Sequence, residues 1–398
     1  MPFAAALSTA PAFSQAAAEV CQKAGADLGG PADLAVVFFS PHHAGHAAEL
    51  AGLLRRLLGA KAALGCVAES VIGVGREVEQ APALSLWLAR WDRPVSVQPF
   101  HLTLERTADG PSLFGWPDAL LGGAVTPGEP FTPARAAVLL LGDPYSFPAD
   151  LFLQRINEAA PGVPVLGGMA SGAEAGEVRL VQDDQVREAG AVGVLLEGEQ
   201  LGLRWIVSQG CRPIGRPYVV TRAEQNVIQE LGGRTPLEQM RELWQTLGEV
   251  DQKLFQQGLH IGRVLNEYQS EFQRGDFLIR NVLGLERQSG ALVINDQVRV
   301  GQTVQFQVRD AAGADEDLHA LLQLDLSARE KRPAGALVFS CNGRGTRLFG
   351  EPDHDAKAIG QEAGPIPLAG FFAQGELGPV GGQNFIHGFT ASVALFEE

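Results

Sequence analysis

The chain has 398 residues, 45% hydrophobic and 19% charged, with 48 glycines and 24 prolines. That composition supports one large core or two ordinary ones and excludes a disordered or coiled-coil chain. The formal net charge of -15 at pH 7 argues against nucleic acid and against insertion at an anionic membrane surface, since both require a basic face.

Met1 to Ala18 is rich in Ala, lacks a basic leading segment and is interrupted by Pro2 and Pro11, so it does not read as a signal peptide. Ser14 is placed to cap a helix running toward Ala26. Residues 1–29 are therefore expected to form an N-terminal helix packed on the first domain. No uninterrupted apolar run is long enough to span a bilayer. Cys21, Cys66, Cys211 and Cys341 lie too far apart for a zinc or redox motif. They read as free thiols of a reducing, cytoplasmic compartment.

Three apolar runs read as strands covered on both faces: Leu34 to Ser40, Ala136 to Gly142 and Gly335 to Ser340. A turn and a helical stretch follow each, over His43 to Leu58, Phe147 to Ala160 and Asp353 to Ala363. A second apolar run ending in small residues comes next, at Ala63 to Ser70, Val163 to Gly172 and Ile366 to Gly375. Closing strands are expected at Ala83 to Arg90, Ala191 to Gly198 and Phe389 to Phe396. The pattern predicts an α/β to α+β fold. Its mixed sheets are built from repeated β-α-β-β units, in two tandem regions packed together, with the third unit against the first two.

Different material separates the second unit from the third. Thr235 to Glu238 reads as a capping box with Pro at the first helical position, opening a helix over 235–257. Residues 277–310 read as antiparallel strands, with Asn295-Asp296 as a hairpin turn between Ala291–Ile294 and Gln297–Val300. Gly301 to Asp310 alternates as a half-buried strand. Ala314 to Glu330 is expected to be helical.

Cys341-Asn342-Gly343-Arg344-Gly345 at a strand end, then Phe371 to Pro379 and His387-Gly388-Phe389-Thr390, resembles the FIST C-terminal domain. So does Gly301 to Asp310 followed by an acidic helix start. Leu34 to Ser40, Leu166 to Gly172 and Gly190 to Glu197 resemble the FIST N-terminal domain. The resemblance implies an N-terminal domain over 30–225 and a C-terminal domain over 226–398, with the 235–257 helix as connector. It also implies a stand-alone sensory protein acting in signal transduction. Its ligand would be a small molecule such as an amino acid, its partner a downstream signalling protein, and no cofactor is implied.

The residues themselves support a binding turn. Two glycines after a strand present backbone N–H groups to an anion. Arg344 offers a planar fork to a carboxylate, and Asn342 donates and accepts. Gly375 and Glu376 lie in a second turn on the same sheet edge, where α/β ligands bind. Arg344 for a ligand carboxylate and Glu376 for its ammonium would hold an amino acid. The bland alternative is a tight turn with Arg344 in a surface ion pair. A thiol enzyme would use Cys341 as nucleophile and His387 as base. An interaction scaffold would use the turns only for packing. His42 and His46, four residues apart, could present two imidazoles to one ion, but no third ligand is evident and no metal is expected. Cys66, Glu69, Gly167, Gly168 and Ser171 occupy the corresponding turns of the first two units and read as tight packing. Walker A, dinucleotide and G-x-S-x-G signatures are absent.

Overall fold

The repeat read from the apolar runs occurs three times, in a longer form than the sequence indicated. A computed structural model describes residues 2–108, 110–121, 135–199, 201–269, 271–272 and 275–398. The first repeat comprises β1 (Phe3–Ser8), α1 (Phe13–Leu28), β2 (Leu34–Phe39), α2 (Ala47–Leu58), β3 (Ala62–Val67), β4 (Ser70–Gly73), β5 (Arg76–Glu79) and β6 (Leu84–Ala89). The second comprises β7 (Ser96–Thr107), β8 (Gly110–Phe114), α3 (Asp118–Leu121), β9 (Ala136–Gly142), α4 (Ala149–Ala159), β10 (Val165–Met169), β11 (Leu180–Gln182), β12 (Gln185–Arg187) and β13 (Ala191–Glu197).

The third repeat opens with β14 (Leu203–Gln209) and is then interrupted by β15 (Cys211–Pro213), β16 (Tyr218–Glu224), β17 (Val227–Leu231), α5 (Pro236–Thr246), α6 (Glu249–Gln257), β18 (Leu259–Val264), β19 (Phe277–Leu285), β20 (Leu292–Ile294) and β21 (Thr303–Arg309). It resumes with α7 (Ala311–Ser327), β22 (Pro333–Cys341), α8 (Thr346–Phe349), α9 (His354–Ala363), β23 (Leu368–Ala373), β24 (Glu376–Val380), β25 (Gln383–His387) and β26 (Thr390–Glu397).

Each repeat builds the same sheet centre. β2 and β3, β9 and β10, and β22 and β23 are parallel pairs, and β6, β13 and β26 run antiparallel on the other edge of the first strand. Between the second strand and the closing strand lies a hairpin that the sequence reading missed. No repeat keeps its own hairpin: β4–β5 joins β23, β11–β12 joins β3, and β24–β25 joins β10. The exchange is a closed cycle that ties the three repeats into one body.

Side chains lock each transfer. Asp183 accepts from Ala63 N–H (3.0 Å), Asn384 accepts from Val165 N–H (2.8 Å), and Asp353 accepts from Glu77 N–H (2.7 Å). β2, β3, β6, β9, β13 and β23 are buried along their whole length, which is why they read as continuous apolar runs. Phe38 packs on Phe371 and Phe339 (ring centroids 4.9 and 6.3 Å), so the third repeat does pack on the first.

The described residues form two compact units: Met1–Val207, Leu318–Ile386 and Thr390–Glu398 in one, Ser208–Asp317 with His387–Phe389 in the other. The first holds the three repeats. In the second, β21 pairs with β15 and β16 on one edge and β18 on the other, closing β16, β17, β20, β19, β18 and β21 into a barrel around Ile228, Ile261, Leu292 and Phe306.

Several expectations change. α1 starts at Phe13, its Ala12 cap makes no side-chain bond, and Ser14 lies inside the helix. Residues 1–29 also contribute β1, paired antiparallel with β6. The Thr235–Glu238 capping box and Pro236 are present, but the 235–257 helix breaks at Leu247-Gly248 into α5 and α6. Asn295-Asp296 turns no hairpin: β20 pairs with β19 and β17, and Asp296 binds Arg280 and Arg263 instead.

Candidate functional site

The shared register lets the three repeats be compared position by position. Gly65, Gly167 and Gly370 face Val37, Leu140 and Val338, and a Cβ at any of them would lie 2.4 Å or less from the facing carbonyl oxygen. The match extends outward, since Ser85 donates to Ile72 O and Ser392 donates to Leu377 O at corresponding places. At the end of the first strand stand Ser40, Asp143 and Cys341 in turn, and three residues on stand His43, Ser146 and Arg344. Six residues past the glycine stand Val71, Ala173 and Glu376. The third repeat alone places a thiol, a guanidinium and a carboxyl at these points.

The turns meet at a hub. The Ser171 hydroxyl accepts from Glu69 N–H (2.9 Å) and donates to Phe372 O. Gly375 O accepts from Met169 N–H (2.9 Å), and Met169 O accepts from Gln374 N–H (3.0 Å). Asn342 N–H donates to Ala373 O (2.8 Å), and Asn342 O accepts from Arg347 (2.7 Å), which is ion-paired with Glu69. Gly345, at φ 59°, comes close to Glu79, where a Cβ would clash, while Glu79 accepts from the N–H and hydroxyl of Thr346. Gly343 N–H donates to Cys341 Sγ (3.5 Å).

Arg344 is not on the surface; it is 0% exposed. Its Nε and Nη2 donate to Asp355 Oδ2 and Oδ1 (2.8 and 2.7 Å), and the guanidinium lies over Phe349. The fork read as a clamp for a ligand carboxylate is thus filled from within by the first turn of α9. Nη1 remains without a hydrogen-bond partner among the described residues. Burial pushes the Asp355 carboxyl up, but the Arg344 charge and hydrogen bonds from Arg344, His354 and Ser340 outweigh it and hold the carboxyl well below the usual range.

Two further buried carboxyls stand beside this pair. Glu376 Oε2 accepts from Thr390 N–H (3.1 Å) and Oγ1 (2.8 Å), while Oε1 has no N–H or O–H partner among the described residues and the Cys341 thiol lies against the carboxyl. Burial raises this carboxyl to about 8, against the opposing pull of Thr390, Arg344 and the adjacent Cys341 thiol. Glu77, delivered by the first repeat's hairpin, accepts from Ala356 N–H (3.0 Å) through Oε1 and leaves Oε2 without a partner among the described residues. Burial first, then the Asp355 charge, raises it to about 8.

The structure therefore gathers Cys341, Asn342, Gly343, Arg344, Gly345, Gly375 and Glu376 around one hub and adds Asp355, Glu77 and Arg347, which sequence reasoning missed, Glu69, which it read as packing, and Thr390, which it noted only within the family motif. An acidic residue opening α9 was a readable clue to Asp355. Glu77 had none, because its position depends on the hairpin exchange. His387 is buried and belongs to the other compact unit. His42 and His46 fall on a 3₁₀ turn, Pro41–His46, where three residues complete a turn and a spacing of four does not share a face. His42 Nδ1 sits 3.3 Å from Ser40 Oγ, and His46 stacks on Phe13. Among the described residues no group of three or more His, Cys, Asp or Glu is arranged to hold a metal ion. No helix of the described residues is long and apolar enough to cross a membrane.

A mixed-sheet repeat protein whose third repeat is interrupted in sequence by a barrel, with an ionisable cluster at that repeat's turns completed by Glu77 of the first, is the class these features define. The chain belongs to the FIST family: residues 33–234 match the FIST N domain and residues 236–379 the FIST C domain. FIST domains are associated with sensory signal transduction and small-ligand binding. An uncharacterized protein of Mycobacterium tuberculosis is 44% identical over 392 residues, 98% of each chain. An uncharacterized protein of Mycobacterium bovis is 43% identical over 390 residues, 98% of this chain and 97% of its own.

Proposed function

We propose that this protein is a sensory small-molecule-binding protein whose ligand, an amino acid or related small carboxylate, sits at the Cys341–Gly345 turn and Glu376. One observation carries the reading. Arg344 Nη1 and Glu376 Oε1 are a buried donor and a buried carboxyl oxygen without an N–H, O–H or carboxylate partner among the described residues, in the one repeat that departs from its siblings. Buried polar groups are nearly always hydrogen-bonded. An amino acid supplies both partners, its carboxylate accepting from Nη1 and the Asn342 amide, its ammonium facing Oε1. The part played by Arg344 is narrower than a two-pronged clamp, because Asp355 holds its other edge. A downstream signalling protein reads the bound state. Four buried cysteines, none in a disulfide, are consistent with a cytoplasmic setting.

The test is a thermal-shift panel of amino acids and small carboxylates on the wild type, Glu376→Gln and Asn342→Ala. A ligand at a hundred times its Kd stabilises by about 2.7 kcal/mol. A shift confined to one ligand class and lost in both variants supports the site. A shift that survives both variants places the ligand elsewhere.

A second reading rests on Cys341, whose thiol receives the Gly343 N–H and lies beside the Glu376 carboxyl. A thiol reaction here uses Glu376, not His387, as proton acceptor, and only in its ionised form, which burial confines to pH above about 8. Iodoacetamide labelling of Cys341 that slows in Glu376→Gln favours it; labelling indifferent to that change removes it.

A further inference from the structure

Away from the Cys341–Glu376 cluster, a cavity of about 600 Å³ lies between α1, the β4–β5 turn, and α9 with the loop that follows it. We propose that this cavity is a second binding site, and that its occupant is a small amphiphile with an apolar body and one anionic head, a monocarboxylate.

The walls favour an apolar body. Val74, Pro365, Ile366 and Pro367 line the space with exposed or half-buried side chains, and its volume lies within the range of small-molecule sites. The lip is strained. Val74 holds φ 49°, a left-handed conformation that a β-branched side chain rarely adopts, and its N–H is tied to Leu368 O (2.9 Å). The tight two-residue turn between β4 and β5 imposes this conformation, with Gly75 also at positive φ (75°). Here it presents a valine that is 46% exposed at the mouth of the cavity. Gly360, in the interior of α9, also lines the space. A Cβ built there meets nothing within 4 Å, so a residue unfavourable in a helix keeps the wall open.

Charge selects the head. The charged residues on the lining are Lys23, Asp27 and Lys357. Lys357 Nζ is engaged by Pro352 O and Asp353 (3.1 and 3.6 Å). Lys23 makes no ion pair within 4 Å among the described residues, Asp27 on its own helix included. With Lys357 held by Asp353, Lys23 is the lining ammonium left to meet an anionic head, beside the single carboxylate of Asp27. Ala356 lines the same cavity and donates its N–H to Glu77, so the cavity and the buried carboxyls share one turn of α9.

Calorimetric titration of the full chain with decanoate, below its micelle concentration, and with decanol tests the proposal. Decanoate is expected to bind the wild type more tightly than decanol. Gly360→Leu should weaken it by about tenfold or more while leaving Tm unchanged or raised, which separates filling from unfolding. Lys23→Gln should weaken decanoate and leave decanol as it was. Glu376→Gln should leave decanoate binding unchanged, so this site stands or falls apart from the proposed sensory one. Absence of decanoate binding, or full binding in Gly360→Leu, overturns the site. Equal binding of decanol and decanoate overturns the anionic head.

Discussion

Arg344 and Asp355 form a two-point ion pair with both side chains removed from solvent, Nε to Oδ2 at 2.8 Å and Nη2 to Oδ1 at 2.7 Å. Such a pair gains little against an apolar replacement, yet losing one partner leaves a bare buried charge. Asp355→Ala is therefore expected to cost ~3–5 kcal/mol. The double change Arg344→Met with Asp355→Leu should cost much less than the sum of the single changes. Urea unfolding of the three variants checks this; additive losses would mean the residues act separately.

Glu77 and Glu376 are neutral in the folded chain at pH 7 and ionised in the unfolded one, since burial raises both from 4.5 to about 8. The native state therefore holds more protons, and their contribution to stability declines as pH rises from about 4.5 to about 8. Glu376→Gln should flatten that decline by about one proton and stabilise the protein above pH 7. Denaturation midpoints across pH 5–9 decide it; an unchanged slope would mean Glu376 is ionised when folded.

An amino-acid ligand whose ammonium meets Glu376 should drive that carboxyl to ionise. Binding at pH 7 is then accompanied by release of about one proton, measurable by calorimetry in buffers of different ionisation enthalpy. Release equal in wild type and Glu376→Gln would remove Glu376 from the ligand contact.

The strand glycines Gly167 and Gly370 should respond alike. A Cβ at Gly167 would lie 1.9 Å from Leu140 O, and one at Gly370 would lie 1.9 Å from Val338 O. Gly167→Ala and Gly370→Ala should each destabilise by about 3 kcal/mol through overpacking. Gly360→Ala should stabilise by up to ~1 kcal/mol, as a helix-interior glycine with free space around it. Thermal unfolding of the three variants tests both signs.

The central strands and the Thr235 capping box were legible in the chain because their causes are local. A strand covered on both faces must be apolar throughout, as in Leu34–Phe39 and Ala136–Gly142, and a cap needs only residues three apart. The glycine-bearing second strands and the turn at Cys341–Gly345 were legible for the same reason. Only the tertiary structure decided where the hairpins go. The β4–β5 strands are short, and any open sheet edge satisfies their backbone groups equally well, so nothing within Ser70–Glu79 names β23 as the partner. The character of the site followed from that choice. Arg344 looks like a surface fork in sequence, but the exchange brings Glu77 from the first repeat onto α9 beside Asp355. Burial then turns the guanidinium inward and leaves two carboxyls neutral, because the energy of a charge depends on the solvent excluded around it and not on its neighbours along the chain.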